Sequence, residues 1–285
     1  AQLGPALAEL GVPAYRLEAL GLLMAEALRA NPGPVWRPDQ RAAWQATARL
    51  VGRWLAHGMA VGYEPPFWTA TVVRHERRRP DTAVIFVRSY LPYPYLPGQF
   101  APVESGHHRQ GWRPCGIANL PAADNVVELH VRVGPADPVG AALVTRTGVG
   151  DRLRLRAATD GLRLDVDSTR PVLLLAEGVG IAPVRALLAQ LRGGWPERDV
   201  LVCWGARSAA DHYDLPALHA LAGADATVAV SGPDPDGALA DLLVTPHEEP
   251  DVYASGSLRA TLAALAATGV AADRIRAVDT AGASG

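Results

Sequence analysis

The chain contains no lysine, so its 27 Lys and Arg residues are all arginines. Because 29 acidic residues balance them, the formal net charge is −2 with histidine neutral. A chain without a positive field has no general electrostatic attraction to nucleic acid or to an anionic membrane. We therefore expect neither nucleic acid nor a membrane as a partner.

Cysteines and long apolar runs are scarce. Cys115 and Cys203 are the two cysteines in 285 residues, which is too few for a disulfide framework, and no C-x-x-C spacing occurs. The longest apolar runs, such as residues 171–176, are far shorter than the ~20 residues of a membrane helix. The first four residues lack the basic segment and apolar core of a signal peptide. These absences predict a cytoplasmic location.

The hydrophobic pattern changes twice along the chain. Residues 1–62 carry apolar side chains at three- and four-residue spacing, which predicts helices. Residues 63–168 contain short β-rich runs separated by turn signals such as Leu96-Pro97-Gly98, a pattern typical of an antiparallel barrel. Residues 169–285 alternate apolar strands with helical segments, which predicts a doubly wound α/β domain. We therefore expect a mixed fold of three parts.

Two kinds of pattern predict the individual strands. Barrel strands are short and rich in β-branched residues, whereas parallel strands buried on both faces are continuous apolar runs. In the second part of the chain, the predicted strands cover residues 68–74, 83–89, 126–133 and 152–156. In the third part they cover residues 172–176, 200–204, 226–231, 252–254 and 275–278.

The segment 176–183, Ala-Glu-Gly-Val-Gly-Ile-Ala-Pro, follows a predicted strand and opens a predicted helix. This is the context of a glycine-rich phosphate loop, in which Gly-any-Gly lets the backbone approach dinucleotide phosphates. Pro183 suits an early helical turn. The segment therefore predicts a nucleotide site.

The order of barrel and α/β domain, together with five motifs, resembles the ferredoxin-NADP reductase superfamily and, within it, the flavohaemoglobin branch. The resemblance implies an FAD-binding-type domain at residues 63–168 and an NAD(P)-binding-type domain at 169–285. It further implies electron transfer from NADH or NADPH through FAD to an unknown acceptor protein. The motifs are Pro97-Gly98-Gln99-Phe100, Arg113-Pro114-Cys115-Gly116-Ile117-Ala118-Asn119, Pro138-Val139-Gly140, the glycine loop, and Gly205-Ala206-Arg207 with Tyr253-Ala254-Ser255-Gly256.

The resemblance also implies roles for residues of the flavin half. Gln99 and Phe100 would lead into the flavin site. Arg113 would bind the flavin diphosphate, because a guanidinium fork matches phosphate oxygens. Backbone N–H groups at a helix start would hold the same diphosphate. The further residues assigned to this half are Pro114, Cys115, Gly116, Val139 and Gly140.

In the NAD(P)H half, the resemblance places Arg207 near the adenosine and Ser255 beside the nicotinamide, which makes Ser255 the predicted catalytic residue. Arg207 does not decide between NADH and NADPH. The residues expected at the dinucleotide phosphates are Gly178, Gly180, Ile181 and Pro183.

Several positions depart from the family patterns. Where the flavin strand has Arg-any-Tyr-Ser, Cys115 and Gly116 replace the Tyr and Ser. The helix-start pattern, Gly-any-Val-Ser or Gly-any-Cys-Ser, has Gly140 for its Ser. In the glycine loop, usually Ala-Gly-Gly-Thr-Gly, Glu177 and Val179 replace a Gly and the Thr. These changes leave an alternative open, namely a non-catalytic descendant with an eroded flavin site that acts as a binding or regulatory protein.

Residues 11–15, Gly-Val-Pro-Ala-Tyr, and the Leu-rich helix after them resemble the chain just after the haem-binding histidine of flavohaemoglobins. The place of that histidine falls at Leu7, and the first histidine of the chain is His57. We therefore expect no haem, and we interpret residues 1–62 as a truncated globin segment and a candidate homodimer surface. His107 and His108 lack a third ligand, so no metal site is expected there.

Overall fold

The computed structural model describes residues 43–44, 46–47, 67–159, 161–195, 197–224, 226–230, 250–258, 262–263, 265 and 270–279. The chain divides into two compact units, residues 1–68 with 89–94, and residues 69–88 with 95–285. In the first unit, residues 43–44 and 46–47 are helical, and the Thr47 hydroxyl donates to the Ala43 carbonyl at 2.9 Å. The predicted globin segment and homodimer surface otherwise lie outside the described residues.

Six strands close an antiparallel barrel in the order β1-β2-β5-β4-β3-β6. Along β1, buried Trp68, Ala70 and Val72 alternate with more exposed residues, as a strand with one face on the barrel core requires. A helix, α1, lies between β5 and β6. The bounds are β1 Trp68–Arg79, β2 Thr82–Ser89, β3 Phe100–Ser105, β4 His108–Ile117, β5 Val126–Arg132, α1 Pro138–Thr145 and β6 Arg152–Leu155.

Five parallel strands form a second sheet in the order β11-β10-β7-β8-β9. Its strands are the continuous apolar runs of the sequence, and side chains pack on both faces. Leu174 and Trp204 belong to one core cluster, and Leu175 and Cys203 to the other. The bounds are β7 Val172–Glu177, α2 Ile181–Gly194, β8 Val200–Gly205, α3 Leu215–Ala222, β9 Ala226–Val230, β10 Asp251–Gly256 and β11 Ile275–Asp279.

The predicted fold class is confirmed, with an antiparallel barrel followed by a parallel α/β sheet. The domain boundaries after residues 62 and 168 stay predictions. Within the described ranges, no helix has both the length and the apolar character that a membrane crossing needs.

The turn before β3 is held against the segment after β6 by backbone contacts. Gly98 has a φ of +92°, and its carbonyl accepts the Leu162 N–H at 3.0 Å. The Gln99 side chain fixes the turn, since its Oε1 accepts the Leu96 N–H at 2.7 Å. A Cβ added at Gly98 would overlap the Leu162 carbonyl oxygen. Gly98 is therefore required both by its φ and by the close approach of two backbones.

Replacing Gly98 with alanine should destabilise the protein more than replacing Gly150. Both glycines have a positive φ, but a Cβ at Gly150 meets no atom within 4 Å. We expect Gly150→Ala to lower the free energy of unfolding by about 1 kcal/mol, from backbone strain alone. Gly98→Ala adds a steric overlap and should cost roughly 2 kcal/mol more. Urea unfolding followed by circular dichroism measures the free energy of unfolding of both variants. Equal losses of stability would contradict the steric overlap expected at Gly98.

Candidate functional site

A cleft of about 740 Å³ lies between the barrel and the carboxyl edge of the parallel sheet. Barrel strands β3, β4 and β5 form one wall, and the residues that follow β7, β8 and β10 form the other. In the strand order, β7 has β8 on one side and β10 on the other, which makes it the switch point of the sheet. Ligands of open α/β sheets bind at such a point. The cleft is therefore the candidate site.

Some of the predicted site residues line this cleft and others lie behind its surface. Those in the lining are Phe100, Arg113, Pro114, Gly116, Gly178 and Arg207, together with the two replaced loop positions Glu177 and Val179. The other predicted residues, Gln99, Cys115, Val139, Gly140, Gly180, Ile181, Pro183 and Ser255, are not among the lining residues. The sequence interpretation missed further lining residues, among them Asp81, His130, Arg132 and Ser257.

Arg113 and the start of α1, the two groups expected to bind a diphosphate, both bind Asp137. Nη1 of Arg113 lies 2.6 Å from Asp137 Oδ2. The Gly140 N–H donates to Asp137 Oδ1 at 2.8 Å, so Asp137 is the N-cap of α1. The Gly134 N–H donates to Oδ2 at 3.3 Å. The sequence interpretation missed Asp137, although an Asp directly before Pro138 is a common helix-start signal.

The glycine loop packs tightly between β7 and β10. Gly178 has a φ of +54°, and its carbonyl accepts the Trp204 indole N–H at 3.0 Å. A Cβ at Gly180 would overlap the carbonyl of Ser255. Gly178 is therefore required by the positive φ of the turn. Gly180 is required because the loop approaches β10 too closely for a side chain.

Ser255 is fully buried at the end of β10, and its Oγ has no hydrogen-bond partner among the described residues. Two residues further along the chain, Ser257 lines the cleft. The role of Ser255 beside a nicotinamide stays a prediction, and Ser257 offers a second hydroxyl at the same end of the strand.

Comparison with known proteins agrees with this architecture. The ferredoxin–NAD(P)+ reductase component of the naphthalene 1,2-dioxygenase system from Pseudomonas putida is 30% identical over 198 residues, which are 67% of this chain and 59% of that protein. A ferredoxin reductase of carbazole 1,9a-dioxygenase superposes with a TM-score of 0.67 at 21% identity, over 75% of this chain and 69% of that one. This chain has the ferredoxin-NADP reductase-like fold.

A flavohaemoglobin from Malassezia yamatoensis, solved with FAD and haem, superposes over 97% of this chain and 78% of its own with a TM-score of 0.66 at 18% identity. This likeness shows the fold alone, so the globin origin of residues 1–62 stays a prediction. No protein-family model matches the chain. The chain spans between 43% and 59% of the length of three curated reductase relatives.

Flavin, which the ferredoxin-NADP reductase-like fold implies, fits one half of the cleft better than the other. Phe100, Pro114 and Gly116 line the barrel side of the cleft, where the resemblance places the flavin ring. The donors expected at the diphosphate already bind the carboxylate of Asp137. The apolar lining on the barrel side is therefore compatible with the ring of FAD, whereas the donors that the resemblance assigns to its diphosphate are occupied by Asp137.

Gly116 is explained by packing between the barrel and α2. A Cβ at Gly116 would lie 2.9 Å from both Ala182 Cβ and Pro183 Cδ. Real Cβ atoms essentially never come so close to such atoms, so a larger residue would push the first turn of α2 away from β4. The Ser of the family pattern is therefore not compatible with this spacing of the two domains.

The remaining arginines of the cleft also face acidic residues. Arg132 Nε lies 3.1 Å from Asp81 Oδ2, and Arg207 lies 3.8 Å from the same oxygen. Burial acts to raise the pKa of Asp81, but hydrogen bonds from Thr82 and Arg132 and the Arg132 charge lower it below its ordinary value. Asp81 therefore stays ionised and balances part of the positive charge in the cleft.

A buried polar network joins β5 to α2 and to the start of α3 beneath the cleft. Nη1 of Arg185 lies 2.7 Å from Glu128 Oε1 and 2.5 Å from Asp214 Oδ2. His130 Nε2 lies 3.1 Å from Glu128 Oε1, and its Nδ1 lies 2.8 Å from the hydroxyl of Tyr213. The network therefore connects the barrel directly to the α/β domain.

The same carboxylates and imidazole are close enough to hold a metal ion. Single ligand atoms of Glu128, His130 and Asp214 lie within 4.8 Å of one another. However, Arg185 Nη1 contacts both carboxylates and so already supplies the cation. We therefore interpret this group as an ion-pair network rather than a metal centre.

Both thiols are buried. Burial raises the pKa of Cys115 to about 12, although the nearby Arg113 charge acts to lower it. Burial also raises the pKa of Cys203 to about 12. Cys115 is 2% exposed and is not part of the cleft lining, although Arg113, Pro114 and Gly116 beside it are.

We expect both thiols to be inert in the folded protein. The thiolate is the reactive form, and a thiol with a pKa of about 12 forms almost none of it at pH 8. A thiol-reactive disulfide reagent should label neither Cys115 nor Cys203 in native protein and both after unfolding in urea. Rapid labelling of Cys115 without denaturant would show instead that its side chain reaches the cleft.

The network should make stability depend on pH. Burial acts to raise the pKa of Glu128, but the His130 hydrogen bond and the Arg185 charge outweigh it and lower the pKa to about 2, from an ordinary 4.5. Because the folded pKa is the lower one, the contribution is present above about pH 4.5 and is lost as the pH falls towards 2. The ionised Glu128 carboxylate therefore contributes roughly 3 kcal/mol to the free energy of unfolding at pH 7.

Glu128→Gln should therefore lower the free energy of unfolding at pH 7 by roughly 3 kcal/mol, with a loss that shrinks between pH 5 and 2. Urea unfolding at each pH provides the measurement. Glu197→Gln, at an exposed glutamate, is the matched control and should change stability little at any pH. A loss for Glu128→Gln that is independent of pH would mean that its ionisation does not stabilise the fold.

Proposed function

We propose that the protein is an NAD(P)H-dependent flavin oxidoreductase that passes electrons to an acceptor protein. One feature supports this most directly: a cleft in which barrel strands face a glycine loop at the switch point of a parallel sheet. The name of the Pseudomonas putida relative describes a ferredoxin–NAD(P)+ reductase component. An iron–sulfur or haem protein is the class of acceptor that this proposal implies.

The sheet side of the cleft would hold the nicotinamide nucleotide. Gly178 leaves room for phosphates near the backbone, and its φ of +54° turns the chain into α2. Arg207 lies after β8, where its 64% exposed side chain can reach the adenosine half of the nucleotide. Ser257, at the end of β10, offers a hydroxyl to the nicotinamide half. The Arg207 charge suits NADH and NADPH alike.

The barrel side would hold the flavin ring. Phe100 and Pro114 supply apolar surface, and the missing side chain of Gly116 lets α2 pack against β4. A bound flavin would supply the hydride-accepting and single-electron chemistry. The residues of the protein would position the flavin and the nucleotide relative to each other. The Arg185 network holds β5 beside α2 and thus fixes the distance between the two halves of the cleft.

Two observations favour a second function. The predicted flavin diphosphate donors bind Asp137, and the aromatic residue that the family pattern puts on the flavin strand is replaced by buried Cys115. A non-catalytic binding or regulatory protein would have the same features. The two functions differ in a simple measurement.

The purified protein should bleach added flavin in the presence of NADH or NADPH, recorded from 300 to 700 nm without oxygen. Steady oxidation of either nucleotide with flavin and an artificial acceptor should also occur. Gly178→Ala should raise the KM for the nucleotide about tenfold, because a Cβ at the loop narrows the phosphate approach. Gly223→Ala is the control, since Gly223 also has a positive φ but a Cβ there meets no atom within 4 Å.

Absence of nucleotide oxidation with any flavin would reject the oxidoreductase and favour the binding protein. Equal effects of Gly178→Ala and Gly223→Ala would show instead that the loop does not bind the nucleotide.

A further inference from the structure

The carboxylate of Asp137 is placed as a bound phosphate oxygen would be. It accepts hydrogen bonds from the Gly140 and Gly134 backbone N–H groups and lies against the Arg113 guanidinium. Its side chain is 7% exposed. A helix start and an arginine fork are the donors that proteins use for phosphate. The Asp137 carboxylate is thus an anion of the chain itself that occupies an anion-binding site.

Gly140 makes this arrangement possible. A Cβ at residue 140 would overlap the Asp137 carboxylate. In the pattern Gly-any-Val-Ser, with Gly140 at the Ser position, the Gly position falls at Asp137. In the observed conformation, the Asp137 carboxylate therefore occupies the space that a Cβ at residue 140 would take.

A diphosphate that enters this subsite gains little binding free energy. It must displace a carboxylate whose charge and hydrogen bonds are already matched, and a displaced carboxylate would stay near the phosphates and repel them. Another donor of Arg113 is also committed, because its Nη2 donates to the Arg132 carbonyl at 2.8 Å. The nearby Arg132 guanidinium pairs with Asp81. The ring side of the cleft, at Phe100 and Pro114, is unaffected by these pairs.

We propose that Asp137 determines specificity by occupying the phosphate subsite, so that the cleft selects a flavin by its ring and not by its phosphates. This inference rests on the proposed function, because it takes flavin as the ligand. Riboflavin, FMN and FAD should bind with similar affinity, and each should exchange readily.

The test compares the three flavins by quenching of their fluorescence. In the unchanged protein, the Kd values for riboflavin, FMN and FAD should lie within about threefold of one another. Asp137→Asn keeps an oxygen for the Gly140 N–H but removes the charge, so FAD binding should tighten relative to riboflavin by about tenfold or more. Asp137→Gly with Gly140→Ser, which restores the family pattern, should act in the same direction.

Asp124→Asn is the matched control, because Asp124 is exposed and also accepts a backbone N–H, from Val126 at 3.1 Å. It should leave the ratio of FAD to riboflavin affinity unchanged. The proposal is overturned if Asp137→Asn and the double variant leave that ratio as it is in the unchanged protein, or if the unchanged protein already prefers FAD by more than about tenfold.

If none of these proteins binds any flavin, the proposed function fails, and inorganic pyrophosphate measured by calorimetry decides the role of Asp137. Tighter binding of pyrophosphate to Asp137→Asn than to the unchanged protein supports an internal anion in the subsite, and equal binding overturns it.

Discussion

The guanidinium of Arg185 is the contact on which the geometry of the cleft depends. Arg185 lies about one turn into α2, whose first residue, Ile181, directly follows the glycine loop. Its Nη1 contacts Glu128 on β5 and Asp214 before α3. Breaking a buried ion pair by removing one partner typically costs about 3–5 kcal/mol. The glycine loop therefore cannot move relative to the barrel wall without loss of this network.

Ion pairs outside this network keep the cleft charged but not strongly positive. Each cleft arginine has an acidic partner: Arg113 has Asp137, while Arg132 and Arg207 have Asp81. Charges matched within the protein cost less to desolvate than isolated ones, and they leave less attraction for a phosphate. The cleft therefore resembles a site whose affinity comes from shape and apolar contact on the barrel side rather than from net charge.

Patterns within short segments predicted most of the fold. Continuous apolar runs gave the parallel strands, and the context of residues 176–183 located the glycine loop at the edge of the cleft. Short segments do not show which residues far apart in the chain will pair. They also do not show which side chains of a strand will be buried. Asp137 meets Arg113 across 24 positions of the chain, and Cys115 is buried although Arg113, Pro114 and Gly116 line the cleft. The flavin-strand motif itself specifies neither the partner of Arg113 nor the burial of Cys115.

The residues that depart from the family patterns at the flavin motifs are explained by contacts within the protein. Here Gly140 provides space for Asp137, and Asp137 binds both Arg113 and the start of α1. Gly116 likewise provides the space that α2 occupies. These contacts agree with the proposed selection of a flavin by its ring, because they occupy the donors expected at its phosphates and leave Phe100 and Pro114 in the lining of the cleft.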